Sequence, residues 1–288
     1  LGGSDIAALL GLSKWKTPLQ LYLEKIGEYK EDINSESAYW GTQLEDLVAR
    51  EFSIRTGKKV HRVNRILIHP EYDYLIANID RRVVGEDAIL EVKTTSTFNK
   101  DQWEGDQIPN AYILQVMHYL NITGASKAYF AVLIGGQKFI WKEIERDEEL
   151  IQMVQEREIA FWENHVLKEN PPSASAYDDE LLKKLYPEAK QEEAVPLPSE
   201  VDQAIEEINS LSERLNELEA KKKERENQIK GLLKDHESGY THHFICHWKN
   251  ITSNRLDTKK LKSVHPEIVE SFSVPSTYRR FSIKEVQA

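Results

Sequence analysis

The chain of 288 residues contains a single cysteine, Cys246, and lacks any apolar run of the roughly 18 residues that a transmembrane helix needs. One cysteine excludes intrachain disulfides, and it excludes iron–sulfur or zinc sites that need several cysteines. No membrane association is expected. Because reducing compartments keep thiols free, the cysteine usage favours a cytoplasmic location.

Positive charge is also scarce, since the formal net charge is −10. This balance argues against a protein that coats nucleic acid without regard to sequence. It does not exclude a nuclease, because a metal site made of carboxylates is acidic until cations bind. Residues 239–288 depart from the average, with eight Lys and Arg against four Asp and Glu. The candidates for DNA contact in this segment are Lys259, Lys260, Arg279 and Arg280.

Hydrophobic patterning predicts an α/β (α+β) core, in which a mixed central sheet is flanked by helices. A helical pattern begins within the opening "GGSDIAALLG", and further helical patterns occur at 17–28, 37–57, 109–124 and 146–167. Strand patterns occur at 58–69, 75–84, 88–95, 127–136 and 138–144, with turns predicted at 85–87 and 135–137. The core domain is therefore predicted over residues 1–170.

A different composition begins after the Pro171–Pro172 pair. Residues 171–200 are rich in Pro, Ser and acidic residues, which predicts a linker around one short helix. Within 201–288, apolar residues recur at heptad spacing from Val201, which predicts a long helix that packs in a helical hairpin or between subunits. The remainder of this C-terminal appendage predicts two strands around a short helix.

The segment "AILEVKTT" at 88–95 carries two opposite charges on an otherwise apolar strand. Side chains alternate along a strand, so Glu91 and Lys93 face the same side. A hairpin turn at 85–87 would pair Asp80 with Glu91. Two adjacent carboxylates can bind a divalent cation, and Lys93 beside them could orient or deprotonate a water or hold a phosphate oxygen. The alternative is a cross-strand ladder of charges on a half-exposed sheet.

Helical residues extend this pattern. Glu45, on the helix predicted at 37–57, could supply a carboxylate to a second metal. Gln115 and Tyr119 are four residues apart, so they share one helix face. The set Gly41, Glu45, Asp80, Glu91-Val92-Lys93 and Gln115-x3-Tyr119 resembles the PD-(D/E)xK nucleases. In particular it resembles the YqaJ-type viral recombinases, which are relatives of phage lambda exonuclease, over residues 1–170.

The resemblance implies a role for each residue of the set. Asp80, Glu91 and the carbonyl of Val92 would bind Mg²⁺ or Mn²⁺, and Glu45 would help to hold a second ion. Lys93 would position the attacking water, and Gln115 and Tyr119 would order the site and the nearby phosphate backbone. Ser4 matches the position suggested to touch a 5′-phosphate. The family's phosphate-binding arginine would be expected before Leu1.

The resemblance further implies an exonuclease that digests double-stranded DNA from a 5′ end and leaves a 3′ single strand. Its expected partners are DNA ends, a single-strand annealing protein and further copies of the chain in a ring, a trimer by family resemblance. Its expected setting is a bacterial host, with the gene carried by a phage or prophage. An endonuclease with the same site, and a non-catalytic DNA-binding or assembly protein on the nuclease fold, remain as alternatives.

Overall fold

The structure is a computed structural model that describes residues 1–30, 35–189, 194–275 and 277–284. The chain divides into two compact units, Leu1–Lys184 and Leu185–Ala288. The predicted limits of 1–170, 171–200 and 201–288 stay a prediction, and residues 190–193 of the predicted linker lie outside the described residues. Asp178 is buried and accepts a hydrogen bond from the Thr17 hydroxyl, so the first unit extends beyond residue 170.

The helices in chain order are α1 (Ile6–Leu9), α2 (Pro18–Lys25), α3 (Glu36–Thr56), α4 (Asn110–Thr123), α5 (Glu148–Phe161), α6 (Asp179–Leu185), α7 (Glu200–Leu233), α8 (Thr258–Val264) and α9 (Pro266–Phe272). The strands are β1 (Val60–Arg62), β2 (Leu67–Ile68), β3 (Ile76–Ala77), β4 (Arg81–Val83), β5 (Ala88–Thr95), β6 (Lys127–Ile134), β7 (Lys138–Glu145), β8 (Ser238–Tyr240) and β9 (Ile245–His247). Two 3₁₀ turns, Gly3–Asp5 and Thr97–Trp103, and a π-helical turn, Trp162–Val166, complete the regular elements of the described residues.

A five-stranded mixed sheet in the order β1-β4-β5-β6-β7 forms the centre of the first unit. Strands β4 and β5 are antiparallel, β5 and β6 are parallel, and β6 and β7 are antiparallel. A parallel neighbour requires a crossover connection, and α4 provides it between β5 and β6. The predicted mixed sheet with flanking helices is confirmed.

The two faces of β5 pack against different helices. Ile89 belongs to an apolar cluster with Val116 and Leu120 of α4. Leu90 belongs to a second cluster, with Val48 and Phe52 of α3. Because strand residues alternate between faces, β5 is enclosed between α3 and α4. This enclosure explains why its sequence reads as a continuous apolar run except at the two charges.

Two predicted strands, 58–69 and 75–84, are each interrupted in the structure. Strands β1 and β4 pair in the central sheet, whereas β2 and β3 form a separate two-stranded sheet. The pairing shifts by one residue between the two ladders, from Val60 opposite Val83 to Leu67 opposite Ala77. Such a shift reverses which face each side chain occupies. Residues 63–66 and 78–80 therefore leave the sheet, a break that hydrophobic alternation does not reveal.

The second unit contains the predicted long helix, and its apolar seam is exposed. Helix α7 has 34 residues, and Leu211, Leu215 and Leu218 keep 55%, 59% and 60% of their surface. The first twenty residues of α7 contain seven acidic residues and one Arg, whereas residues 220–233 contain five Lys and Arg and two Glu.

The prediction of two strands around one short helix in the tail is wrong. Strands β8 and β9 are adjacent in sequence and pair antiparallel, from Ser238 opposite His247. Helices α8 and α9 follow them. The turn between the strands is closed by Thr241, whose hydroxyl accepts a hydrogen bond from the backbone N–H of Phe244 at 3.1 Å. A local turn of this kind pairs the two strands before any helix intervenes.

Across the described parts of the chain, every helix is too short or too polar to span a bilayer.

Phe52 tests the packing of α3 on the sheet. Its side chain is fully buried and lies 5.4 Å, between ring centroids, from Tyr129. Phe52→Ala is expected to lower the free energy of unfolding by about 3–5 kcal/mol, since it removes a large buried ring and leaves a cavity. Urea denaturation followed by circular dichroism measures this. Phe98→Ala, at a ring with 96% of its surface exposed, serves as the control and should leave stability unchanged. Equal midpoints for the two variants would contradict the described packing.

Candidate active site

The alternation of β5 places its two charged side chains beside α4. Ile89 faces α4, so Glu91 and Lys93, two and four residues further on, face it as well. Glu91 keeps only 3% of its surface exposed. A buried carboxylate is costly unless charged or hydrogen-bonding groups surround it. The contacts of Glu91 therefore define the site.

Gln115 of α4 connects these two charges. Its amide Nε2 donates to Glu91 Oε1 at 2.8 Å, and its Oε1 accepts from Lys93 Nζ at 3.0 Å. Lys93 Nζ also donates to Glu91 Oε1 at 2.7 Å. The Tyr119 hydroxyl, one turn further along α4, accepts a second hydrogen bond from Gln115 Nε2 at 3.1 Å. The predicted proximity of Glu91, Lys93, Gln115 and Tyr119 is present in the structure.

The amino-terminal segment packs tightly against this helix face. A Cβ atom added to Gly3 would lie 2.6 Å from a ring carbon of Tyr119 and 3.0 Å from Gln115 Cγ. Only glycine allows the backbone to approach this closely. Gly3 therefore helps to keep Tyr119 and Gln115 in place.

Asp80 reaches the site from the neighbouring strand. The β4–β5 register pairs Arg81 with Leu90, so Asp80 lies just beyond the last pair and beside Glu91, as predicted. Asp80 Oδ2 accepts a hydrogen bond from the backbone N–H of Val92 at 2.7 Å. In a strand, the N–H and C=O of one residue point to the same side. The carbonyl of Val92 therefore points towards the Asp80 side as well.

A buried histidine anchors the segment that leads to Asp80. His118 Nε2 lies 2.8 Å from the carbonyl oxygen of Ile76 in β3, and it must donate there because a carbonyl only accepts. His118 Nδ1 lies 2.5 Å from Glu158 Oε1 of α5, and both side chains are fully buried. His118 of α4 thus links β3, which precedes Asp80 in the chain, to Glu158 of α5.

The electrostatics of the site favour bound positive charge. Burial, together with the nearby charge of Glu91, raises the pKa of Asp80 to about 7. Burial alone would lower the pKa of Lys93, but the charge and hydrogen bond of Glu91 raise it above its ordinary value. In the structure Lys93 Nζ donates hydrogen bonds to Glu91 and Gln115. Burial and Glu91 also raise the pKa of Tyr119.

The donor atoms fit one hard divalent cation. Glu91 Oε2 is buried and has no hydrogen-bond partner among the described residues. With the Asp80 carboxylate and the Val92 carbonyl beside it, this oxygen completes a set of three oxygen donors of the kind that Mg²⁺ and Mn²⁺ prefer. An unpaired buried carboxylate oxygen is otherwise costly. These residues therefore fit a metal ion.

Glu45 lines one cleft with Asp80, but in the structure its carboxylate is paired with arginine side chains. Its carboxylate Oε1 accepts from Arg81 NH1 at 2.5 Å and lies 3.6 Å from Arg62 NH2. Arg81 is paired with Leu90, so it lies on the α3 face of the sheet, whereas Glu91 lies on the α4 face. Within the residues that the structure describes, no three His, Cys, Asp or Glu side chains converge on a metal position.

The predicted DNA-contact residues are placed in different ways. Ser4 is exposed in the 3₁₀ turn that precedes α1. Tyr119 keeps only 6% of its surface, so it orders Gln115 from behind rather than facing solvent. Four cations of the second unit are exposed, and their roles stay a prediction: Lys259, Lys260, Arg279 and Arg280.

Arg81 is a site residue that the sequence reading missed. It is 4% exposed, and its guanidinium bonds the carboxylates of Glu45 and Asp46 and the carbonyl of Asp80. The signal was the "DRR" triplet at the end of an apolar strand, since a cation beside a candidate ligand needs a carboxylate partner when buried.

Comparison with known proteins agrees with this geometry. Residues 1–126 match the model of the YqaJ-like viral recombinase domain. The chain is 49% identical to the uncharacterized protein YqaJ of Bacillus subtilis (strain 168) over 291 aligned positions, which cover 99% of this chain and 91% of that protein. The chain belongs to the YqaJ-like viral recombinase family.

Two solved structures share its fold. An alkaline exonuclease (LHK-Exo) from Laribacter hongkongensis is 20% identical, with a TM-score of 0.52 over 65% of this chain and 94% of the other. LHK-Exo in complex with dAMP is 22% identical, with a TM-score of 0.51 over 64% of this chain and 91% of the other. The central sheet with its flanking helices is thus the fold of this exonuclease.

The raised pKa of Asp80 predicts how the stability of the metal-free protein depends on pH. The unfolded chain releases this proton near the ordinary value of 3.8, whereas the folded protein retains it up to about 7. Between these values the folded state binds more protons, so the free energy of unfolding falls as pH rises. Asp80→Asn removes this contribution and should flatten the dependence.

Urea denaturation in EDTA across this pH interval measures the effect. Asp73→Asn, at an exposed carboxylate of the same unit, is the control and should retain the wild-type slope. A slope for Asp80→Asn equal to that of the control would show that Asp80 titrates normally.

Proposed function

We propose that the protein is a metal-dependent deoxyribonuclease that hydrolyses phosphodiester bonds of linear double-stranded DNA. The observation that carries this proposal is the cluster of Asp80, Glu91, Lys93 and Gln115, in which one buried carboxylate oxygen lacks a partner. Membership of a viral recombinase family supports a nuclease role, as does the fold shared with an alkaline exonuclease.

In this proposal Asp80, Glu91 and the Val92 carbonyl hold Mg²⁺ or Mn²⁺. When bound, the ion supplies Lewis acidity, which lowers the pKa of a water and neutralises charge at phosphorus. Glu45 would serve a second ion, which requires its carboxylate to exchange Arg81 for the cation.

The protein's own groups orient the reactants. The protonated Lys93 donates hydrogen bonds and can hold either the attacking water or a phosphate oxygen. Gln115 fixes Lys93 and Glu91 relative to each other through both ends of its amide, and Tyr119 fixes Gln115. Since these contacts exist before substrate arrives, little reorganisation is needed during the reaction.

The finer assignment is a 5′-to-3′ exonuclease that works with a single-strand annealing protein in phage-type recombination. Family membership supports this setting, in the cytoplasm of a bacterial host with a phage or prophage gene. Assembly into a ring, a trimer by family resemblance, is part of the same proposal. The exposed apolar seam of α7 is a surface that copies of the chain or a protein partner could cover.

An endonuclease with the same residues is the second candidate. The proposed site accounts for hydrolysis at phosphorus without requiring a DNA end. A non-catalytic DNA-binding or assembly protein is disfavoured, because the set Asp80, Glu91 and Lys93 is complete and hydrogen-bonded.

Substitutions in the cluster test the catalytic assignment. Glu91→Gln and Lys93→Ala should each reduce Mg²⁺-dependent degradation of linear duplex DNA by at least about 100-fold, since each removes an oriented charged group. Release of acid-soluble nucleotides measures the rate. Lys138→Ala, at an exposed lysine of β7, should degrade DNA like the wild type. If circular dichroism shows folded variants with wild-type rates, the site is wrongly assigned.

The form of the DNA distinguishes the two candidates. Linear duplex with a 5′-phosphate should be degraded, whereas covalently closed circular duplex should stay intact. Gel electrophoresis of both substrates in one reaction measures this. Nicking or linearisation of the circle at a comparable rate would establish the endonuclease instead.

A further inference from the structure

A cleft along the edge of the central sheet connects with the candidate active site. Strand β1 lies at one edge of the central sheet, and the chain leaves the sheet after Arg62. Two adjoining clefts, of about 390 and 430 Å³, share the four residues from Arg62 to Arg65. The first of them is also lined by Glu45 and Asp80, so one continuous surface leads from Arg65 to the proposed metal ligands. We refer to the two together as the Arg62–Arg65 cleft.

One cross-strand pair at this edge is neutralised. Arg62 and Arg81 lie opposite each other on β1 and β4, an arrangement of like charges that is unfavourable by itself. Both guanidinium groups contact Asp46 and Glu45, with Arg62 NH2 at 2.9 Å from Asp46 Oδ1. Two arginines and two carboxylates therefore leave no net charge.

The next cross-strand pair and the following arginine are not neutralised. His61 lies opposite Arg82, and among the described residues the guanidinium of Arg82 bonds only the backbone carbonyl of Thr123, at 3.2 Å. Arg65 is exposed and makes no side-chain hydrogen bond or ion pair with the described residues. The Arg62–Arg65 cleft thus carries uncompensated positive charge on a protein whose net charge is −10.

Charged residues on an edge strand also prevent sheets from joining edge to edge. That role would suit His61 on β1, but Arg65 lies outside any strand. An unpaired guanidinium in a cleft is better suited to a phosphate, which it can bind through two parallel N–H donors.

We propose that the Arg62–Arg65 cleft binds the phosphate backbone of the DNA strand adjacent to the scissile bond, with Arg65 as a direct phosphate ligand. This inference rests on the proposed function for its substrate. The inference concerns the binding of DNA, which is measured separately from hydrolysis.

The test measures DNA binding without cleavage. The Glu91→Gln protein is titrated into a fluorescent 5′-phosphorylated duplex in the presence of Mg²⁺. The titration is repeated with double variants that combine Glu91→Gln with Arg65→Ala or with Arg65→Glu. Loss of one charged contact should weaken binding about tenfold for Arg65→Ala. Arg65→Glu should weaken it further. The plot of log affinity against log salt should become less steep by about 0.9 for Arg65→Ala.

Arg157 provides the matched control. It is an exposed arginine on α5 that lines a different cleft, so Arg157→Ala and Arg157→Glu change the net charge by the same amounts. These variants should bind DNA like the parent. Circular dichroism melting curves of all four variants establish that they are folded. Equal affinity and equal salt slope for the Arg65 and Arg157 variants would overturn the proposal.

The same variants with Glu91 intact separate this inference from the proposed function. If the Arg65 and Arg157 variants that retain Glu91 degrade DNA equally fast, the role of the cleft is rejected and the nuclease assignment is retained. If the wild-type protein does not hydrolyse DNA but its binding of DNA still depends on Arg65, the role of the cleft is retained and the nuclease assignment is rejected. If Arg65 contributes to DNA binding and the protein is a nuclease, substitution of Arg65 should raise KM for duplex DNA more than it lowers kcat.

Discussion

The burial of the Glu91 carboxylate is the constraint around which the first unit is arranged. A carboxylate side chain that is only 3% exposed needs hydrogen-bond donors nearby, and Lys93 and Gln115 both donate to Glu91 Oε1. To place Gln115 there, α4 must cross over between β5 and β6 with this face towards the sheet. Gly3, in turn, must let the amino-terminal segment lie against Tyr119. The second carboxylate oxygen stays unpaired, and this is the feature that a cation would satisfy.

The register of the β4–β5 hairpin was predictable from the sequence because a short turn leaves few ways to pair two strands. Once the turn is located at 85–87, Asp80 must approach Glu91. The shared face of Gln115 and Tyr119 follows equally directly from helical periodicity. Both predictions rest on contacts that are local in sequence or depend on a single turn.

The position of Glu45 depended on information that periodicity does not contain. Glu45 lies next to Leu44 at the edge of the apolar stripe of α3, so a modest rotation of the helix decides which sheet face it serves. In the structure the buried cation Arg81 bonds the Glu45 carboxylate, and the role of Glu45 at a second ion stays a prediction. The breaks at 63–66 and 78–80 were missed for a similar reason, since they arise from a one-residue shift between two sheets. Tertiary context set these features, and Gly3 likewise has meaning only beside Tyr119.

Helix α7 shows how a solvent-exposed helix can be stabilised by its own charges. At about 1.5 Å per residue its 34 residues form a rod of about 50 Å. Backbone dipoles make its amino-terminal end positive and its carboxyl-terminal end negative. The side chains have the opposite order, with Glu200 and Asp202 in the first turn and Lys230 in the last. The partial charge of the backbone at each end of the rod therefore attracts the side-chain charges there, an attraction that weakens as salt is added.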